Sequence, residues 1–271
     1  MKQQIFSRFW LDHVEAPTVG SVILASLLLK LGGYGFLRYL ILLFPEACRY
    51  YSPLVFSICL LGIIYSSLST FKQIDLKKVI AYSSISHMNL VVAGLFSLNL
   101  AGILGAIVLM LAHGIVSGAL FLLVGVLYER FHTRLVRYYG GITQVMPLFA
   151  LCFFFFNLAN MGLPGTLNFV GELLIFVGLF KIHPILILYT GFSVILSAGY
   201  SLWLFNRVAF GVVRLCSVEY VDLTQRELYI YLPLIVITIF FGVYPNILLD
   251  TLFFSVKVLA LVFEPCVFKN L

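Results

Sequence analysis

Charge is what this sequence has least of. Seventeen Lys and Arg and eleven Asp and Glu make up only 10% of 271 residues, against ~25% in an average soluble protein. This scarcity excludes a soluble globular fold, because polar side chains must cover such a surface and 62% of these residues are apolar. Alternation is missing too. A transmembrane barrel reads as segments of about ten residues with every second one apolar, and a run such as Leu98 to Leu127 does not alternate. What is present is a series of apolar runs of roughly 18 to 28 residues, the length that crosses ~30 Å of hydrocarbon as helix. The expected fold class is an all-α polytopic membrane protein.

Cysteine is sparse. Cys48, Cys59, Cys152, Cys216 and Cys266 form no C-x-x-C and share no metal-like spacing with the five His, so they read as small apolar fillers. A Gly-rich phosphate loop, paired carboxylates and a metal-ligand cluster are all missing, so no redox or hydrolytic centre, no metal and no bound cofactor are expected in this chain. The net charge of +6 does not point to nucleic acid, because the cations lie between spans rather than among stacking aromatics. The opening MKQQIFSRFW has two cations but no apolar stretch of about 7–15 residues before DHVEAP, so it does not read as a signal peptide.

Seven spans are drawn from the apolar runs: Pro17–Leu43, Pro53–Thr70, Lys77–Leu98, Leu100–Leu127, Thr143–Phe180, Pro184–Asn206 and Leu228–Leu249. A short N-terminal segment (1–16) precedes this bundle (17–250), and a tail or interfacial segment (251–271) follows it. The fifth run is too long for one pass. It contains NMGLPGTLN, where Gly162, Pro164 and Gly165 remove a backbone donor and weaken helical preference, so it reads as a broken helix around 160–168. Groups freed at such a break must be buried in protein or face water, since lipid cannot satisfy them.

Eleven cations fall on one side of this layout, namely Lys2, Arg8, Lys72, Lys77, Lys78, Arg130, Arg134, Arg137, Arg207, Arg214 and Arg226. Only Arg38, Arg49, Lys181, Lys257 and Lys269 fall on the other. The positive-inside rule therefore places the N-terminus in the cytoplasm or matrix and, with an odd number of spans, the C-terminus outside. Tyr50, Tyr51, Tyr138, Tyr139, Tyr229 and Tyr231 stand at span ends, where amphipathic rings settle at headgroup level.

Few ionisable groups remain at membrane depth: Lys30, His87, His113 and Glu172. A charge there costs roughly 2.5–3.5 kcal/mol on insertion scales, so by default it marks an ion or proton path. Lys30 ends SVILASLLLK, too deep to snorkel. Burial disfavours its ammonium and a nearby carboxylate favours it, which suits a group that loads and releases a proton. Gly32, Gly33 and Gly35 follow as a small-residue patch open to a helix or water. Glu172 is expected just past the break, in the first turn or so of the second half-helix, where helix dipole and burial oppose each other. His87 and His113 fall in consecutive spans, with Ser83, Ser84, Ser86 and Ser117 offering hydroxyls to hold water. The bland reading of these groups is a buried Lys30–Glu172 pair and histidines that bond helix to helix.

Four motifs in order, HVEAPTVGSVILASLLLKLGGYGFLR, KQIDLKKVIAYSSISHM, LMLAHGIVSGALFLLVGVLYERFHTR and GLPGTLNFVGE, carry a resemblance. From about Trp10 to Asp250 the chain resembles the second half of the chain 4 family of antiporter-like membrane-arm subunits of NADH:ubiquinone oxidoreductase, respiratory complex I. The resemblance implies helices 8–14 of a fourteen-helix fold built from two inverted five-helix repeats. It also implies a proton-translocating role powered by electron transfer in other subunits, which hold NADH, FMN, Fe–S clusters and ubiquinone. Lys30 would match the lysine linking two half-channels, His87 and His113 the axis histidines, and Glu172 the acid at the outer end of the axis. Sister subunits and multisubunit cation/proton antiporters usually carry lysine at that last position. The departure is at the start: the family has seven further helices before HVEAP, and WLDHVEAP is shorter than its usual entry. The chain thus looks like a separately made C-terminal half, whose expected partners are a companion chain with the missing helices, neighbouring membrane-arm subunits and lipids. The resemblance places it in the mitochondrial inner membrane, N-terminus in the matrix and C-terminus in the intermembrane space, with a bacterial plasma membrane as the alternative. A cation/proton antiporter or membrane-bound hydrogenase subunit is the alternative function.

Overall fold

A computed structural model of the chain describes residues 17–213 and 220–261. The N-terminal segment 1–16, Arg214, Cys216, Cys266 and the end of the tail lie outside the described residues. Among the described residues nine principal helices follow one another: α1 (Thr18–Leu43), α2 (Pro45–Lys72), α3 (Leu76–Phe96), α4 (Leu100–Phe131), α5 (Pro147–Asn160), α6 (Leu167–Phe180), α7 (Pro184–Ala209), α8 (Gln225–Val243) and α9 (Asn246–Leu261). No strand occurs among the described residues, only an isolated bridge between Asp75 and Leu135. Helices α1–α4, α7 and α8 are long and apolar enough to cross a membrane. The two 14-residue helices α5 and α6 form the expected discontinuous span.

Local chemistry explains where these helices start. Pro45 and Pro184 stand in the first turns of α2 and α7, where a missing N–H costs nothing. Thr224 and Glu227 close a capping box on α8. Two boundaries differ from the sequence reading. The second span begins at Pro45 rather than Pro53, which sits inside the helix. Pro53 cannot donate to the Arg49 carbonyl, and the Ser52 hydroxyl donates to it instead at 2.9 Å. At the other end, α8 stops at Val243 because Pro245 cannot continue it, and α9 then packs on α4 with Val256 and Ala260 buried. Residues 251–261 are thus helical and continue α9.

Burial is concentrated in two helices. In the most apolar stretches of α3 and α4, 72% of residues are buried within the chain, against 17% in α1 and 11% in α8. The apolar core is split. One cluster holds Leu76–Ala81 of α3 and Val116–Phe131 of α4; the other holds Leu90–Phe96 of α3 and Ile103–Met110 of α4. Between them lies a layer in which both central helices turn polar side chains inward: Ser83, Ser86, His87, His113 and Ser117, all buried.

Helix α6 joins this layer through a close approach to α4. A Cβ on Gly105 would lie 2.7 Å from the Ile175 nitrogen, and one on Gly171 would lie 2.8 Å from the Leu109 nitrogen. Small residues let the two backbones touch, the usual device of helix association in lipid. The position after Gly171 is Glu172, which the seam delivers to the polar layer.

Candidate functional site

All four sequence-selected ionisable groups meet in one chain of contacts. The Lys30 ammonium on α1 donates to the Ala25 carbonyl and lies 2.9 Å from His113 Nδ1 on α4. The His113 and His87 rings stand 5.5 Å apart, centroid to centroid, at 49°. His87 Nδ1 is in turn 3.3 Å from Glu172 Oε1. The spatial order is thus Lys30, His113, His87, Glu172. With Lys30 as ammonium, His113 Nδ1 must accept, which puts the proton of a neutral imidazole on Nε2.

Each group is positioned by a local irregularity or contact. Helix α1 widens to π-type turns at Leu24–Leu28 and Phe36–Leu40. Ala25, which receives the Lys30 ammonium, lies in the first of these; such turns often accompany functional sites. The direct Lys30–Glu172 pair considered from sequence does not form, because the two histidines stand between them. Of the glycine patch, Gly33 alone meets a neighbour, the Met110 sulfur; Gly32 and Gly35 face open space.

The break between α5 and α6 also does more than was expected of it. Gly162 and Gly165 have φ of 78° and 94°, the left-handed region that favours glycine. Loop amides return to the end of α5, with Met161 donating to the Asn157 carbonyl and Leu163 to that of Leu158. Asn168 reaches back from α6 and donates to the Ala159 carbonyl at 2.9 Å. The backbone groups freed by the break are thus largely satisfied inside protein. Gly162 lies directly over the acid: a Cβ there would be 2.6 Å from Glu172 Oε2.

Glu172 itself is the sixth residue of α6, past the first turn. The dipole effect inferred from sequence fades within that turn, and His87 is the partner instead. The serine hydroxyls depart from expectation as well. Ser83, Ser84, Ser86 and Ser117 donate to carbonyls of their own helix at 2.6–2.8 Å, so only their lone pairs face the layer.

Two residues passed over in the sequence belong to this region. Tyr200 of α7 is 2% exposed, and its hydroxyl lies beside those of Ser83 and Ser86, with Glu172 nearby. Asn168 is fully buried and its Oδ1 has no hydrogen-bond partner, nor have His87 Nε2 and His113 Nε2. Buried polar atoms of this kind are normally satisfied, commonly by internal water. Tyr200 and Asn168 carry no charge at neutral pH, so a search for ionisable groups ignores them; a polar residue deep in an apolar span was the available signal. Among the described residues, no three His, Cys, Asp or Glu side chains are grouped as metal ligands.

The chain resembles known proteins along most of its length. Residues 2–197 match the family model described as NADH:quinone oxidoreductase/Mrp antiporter, TM. NADH-ubiquinone oxidoreductase chain 4 of Marchantia polymorpha is 54% identical over 92% of this chain and 51% of its own length. NADH-quinone oxidoreductase subunit M of Rhodobacter capsulatus is 49% identical over 89% of this chain and 48% of its own. A chain in the structure of respiratory complex I from Thermus thermophilus with bound NADH superposes with a TM-score of 0.80 at 33% identity, covering 85% of this chain and 49% of that one. The chain spans about half the length of the curated relatives it matches. A Lys–His–His–Glu row beside a broken helix and identity near one half over nine-tenths of the chain agree: the chain belongs to the family of membrane subunits shared by NADH:quinone oxidoreductases and Mrp antiporters.

Proposed function

We propose that the chain forms the C-terminal half of a chain 4 type membrane-arm subunit of respiratory complex I and moves protons along the row Lys30, His113, His87, Glu172. The observation that carries this reading is the continuity of the row. Each group is within hydrogen-bond or ring contact of the next, and Lys30 and Glu172 stand at its two ends.

The chemistry balances in single proton steps. Lys30 ammonium gives a proton to His113 Nδ1 and becomes an amine. The His113 imidazolium then releases its Nε2 proton, which reaches His87 through water between the rings. His87 gives its Nδ1 proton to Glu172 and returns to the neutral form. The row is reset when Lys30 takes a proton, Glu172 loses one, and each imidazole, left as the opposite tautomer, regains its starting tautomer by ring flip or proton exchange. Electron transfer from NADH through FMN and Fe–S clusters to ubiquinone belongs, in this proposal, to partner subunits, and no redox centre to this chain.

The remaining proposals concern setting. The relatives are about twice as long as this chain, and in this proposal its residues work beside the other half of that fold and further membrane-arm subunits. The membrane is the mitochondrial inner membrane, with the N-terminus in the matrix and the C-terminus in the intermembrane space, supported by the excess of cations at one set of helix ends.

The test is Glu172→Gln in the assembled complex. Proton pumping is expected to fall about 10²-fold, the low end of what a positioned proton-transfer group supplies, with assembly on blue-native gels unchanged. Unchanged pumping and quinone reductase turnover would remove Glu172 from the path. Loss of assembly in all four axis variants, with coupling intact in whatever assembles, would mark the row as structural. Membership of a cation/proton antiporter predicts copurification without flavin and Fe–S subunits.

A further inference from the structure

Asn168 and Glu172 occupy the same face of α6, one turn apart, and both are buried. Both reach back to the turn that ends α5. Asn168 Nδ2 donates to the Ala159 carbonyl at 2.9 Å, and the Gly162 N–H donates to that same carbonyl at 3.2 Å. A Cβ on Gly162 would in turn lie 2.6 Å from Glu172 Oε2. Residues 159–162 therefore gather the Asn168 amide and the second carboxyl oxygen of Glu172 at one place, while the first oxygen, Oε1, is with His87.

Donors are scarce at this turn. The amides of Met161, Gly162 and Leu163 are spent on the carbonyls of Asn157, Ala159 and Leu158. Asn168 cannot turn its amide over to look for another, because Oδ1 would then face the Ala159 oxygen, acceptor against acceptor. Its Oδ1 is thus held in place, enclosed in protein and without a hydrogen-bond partner. A buried acceptor left in that state is costly. The group at this turn that can gain a donor is the carboxyl of Glu172, on taking a proton.

We propose that Asn168 is a positioning residue for the proton on Glu172, its Oδ1 accepting directly from the O–H of the protonated acid. The inference rests on the proton path proposed above, in which His87 protonates Glu172. The proton breaks its bond to His87 Nδ1 and forms one to Oε1, where it faces the group it came from and can return. Rotation about the last side-chain bond of a glutamate is soft and roughly two-fold. Half a turn, with no bond made or broken, carries the O–H to the α5 side and onto Asn168 Oδ1. A bare oxygen then faces His87, which donates to it once Nδ1 is protonated again. Asn168 thereby keeps the delivered proton from going back.

Infrared difference spectra of the assembled complex in membranes, acid minus alkaline, test this. The carbonyl band of protonated Glu172 is the one that Glu172→Gln removes. Asn168→Leu is expected to move that band to higher frequency, the mark of an acid whose O–H has lost its acceptor. It should also lower proton pumping about fivefold at unchanged assembly, as the loss of one neutral hydrogen bond would. Looser packing alone would lower assembly or pumping and leave the band where it is, and a band at its original frequency overturns the proposal while the proton path stands. Should Asn168→Leu fail to accumulate, isotopically labelled asparagine in the unaltered chain decides. An asparagine carbonyl band must then appear in the difference spectrum and vanish from it in Glu172→Gln; its absence overturns the proposal. If Glu172→Gln removes no carboxylic acid band at all, Glu172 does not take up a proton, and the path falls together with the role of Asn168.

Discussion

Glu172 is seated so closely that one methyl group would move it. A Cβ at Gly162 meets Glu172 Oε2 at 2.6 Å, whereas one at Gly165 meets nothing within 4 Å, although both glycines have positive φ. Ala at either position carries a left-handed backbone cost of roughly 1–2 kcal/mol. Gly162→Ala also displaces the acid, so it should lower proton pumping well beyond Gly165→Ala at similar assembly, read by comparing turnover per assembled complex. Equal effects would show that backbone strain alone matters. Tyr200→Phe probes the buried hydroxyl beside Ser83, Ser86 and Glu172. It keeps the ring's edge contact with Phe71, 6.2 Å between centroids, and should change thermal stability by less than about 1.5 kcal/mol. If water joins that hydroxyl to the row, pumping falls while assembly holds; unchanged pumping excludes Tyr200 from the path. At this scale the four charged groups were legible because lipid makes charge expensive. Tyr200 and Asn168 were not, because a neutral polar side chain in an apolar run differs little in composition from its neighbours.

Helices α4 and α6 carry the acid to the histidines through backbone contact at Gly105 and Gly171. Adding a methyl at either forces atoms 2.7–2.9 Å apart that belong to backbone or to a Cβ, so relief requires the helices to separate. Gly171→Ala should cost about 1–3 kcal/mol, as overpacking does, and lower the midpoint of detergent-solubilised thermal unfolding. It should also weaken pumping by drawing Glu172 from His87. A stable, fully active Gly171→Ala variant would show that the seam has slack. The broken span was readable from NMGLPGTLN, since Pro and two Gly within four residues cannot sustain a helix. The π-type turns of α1 were not, since LASLL and FLRYL contain no breaker. Pro53 misled for the opposite reason: a breaker was present, but the neighbouring Ser52 hydroxyl took over its duty toward the Arg49 carbonyl.

Lys30 sits on a thinly enclosed side of the bundle. Helix α1 exposes Val19, Leu27, Leu31 and Tyr39 at 60% or more, while α3 and α4 are enclosed. If the other half of the family's fold covers α1, then Leu31→Cys in the assembled complex should resist a lipid-soluble maleimide. The same residue should become reactive when residues 17–261 are presented without those helices. Labelling at the same rate in both states would mean that lipid, not protein, faces α1. The choice matters for the proton row, because lipid leaves Lys30 open at one end and a second bundle continues it.

The amino-acid sequence by itself determined the membrane class, the seven passes, the break and the identity of the charged row. Each follows from a solvent that tolerates neither exposed backbone nor stray charge, so every violation stands out along the chain. Only the tertiary structure decided the order of the row and its uncharged neighbours. Both histidines fall mid-span, and nothing in one dimension says that His113 meets Lys30 while His87 meets Glu172. That choice is made by the facing of α1 on α4 and by the glycine seam between α4 and α6, contacts between residues far apart in sequence.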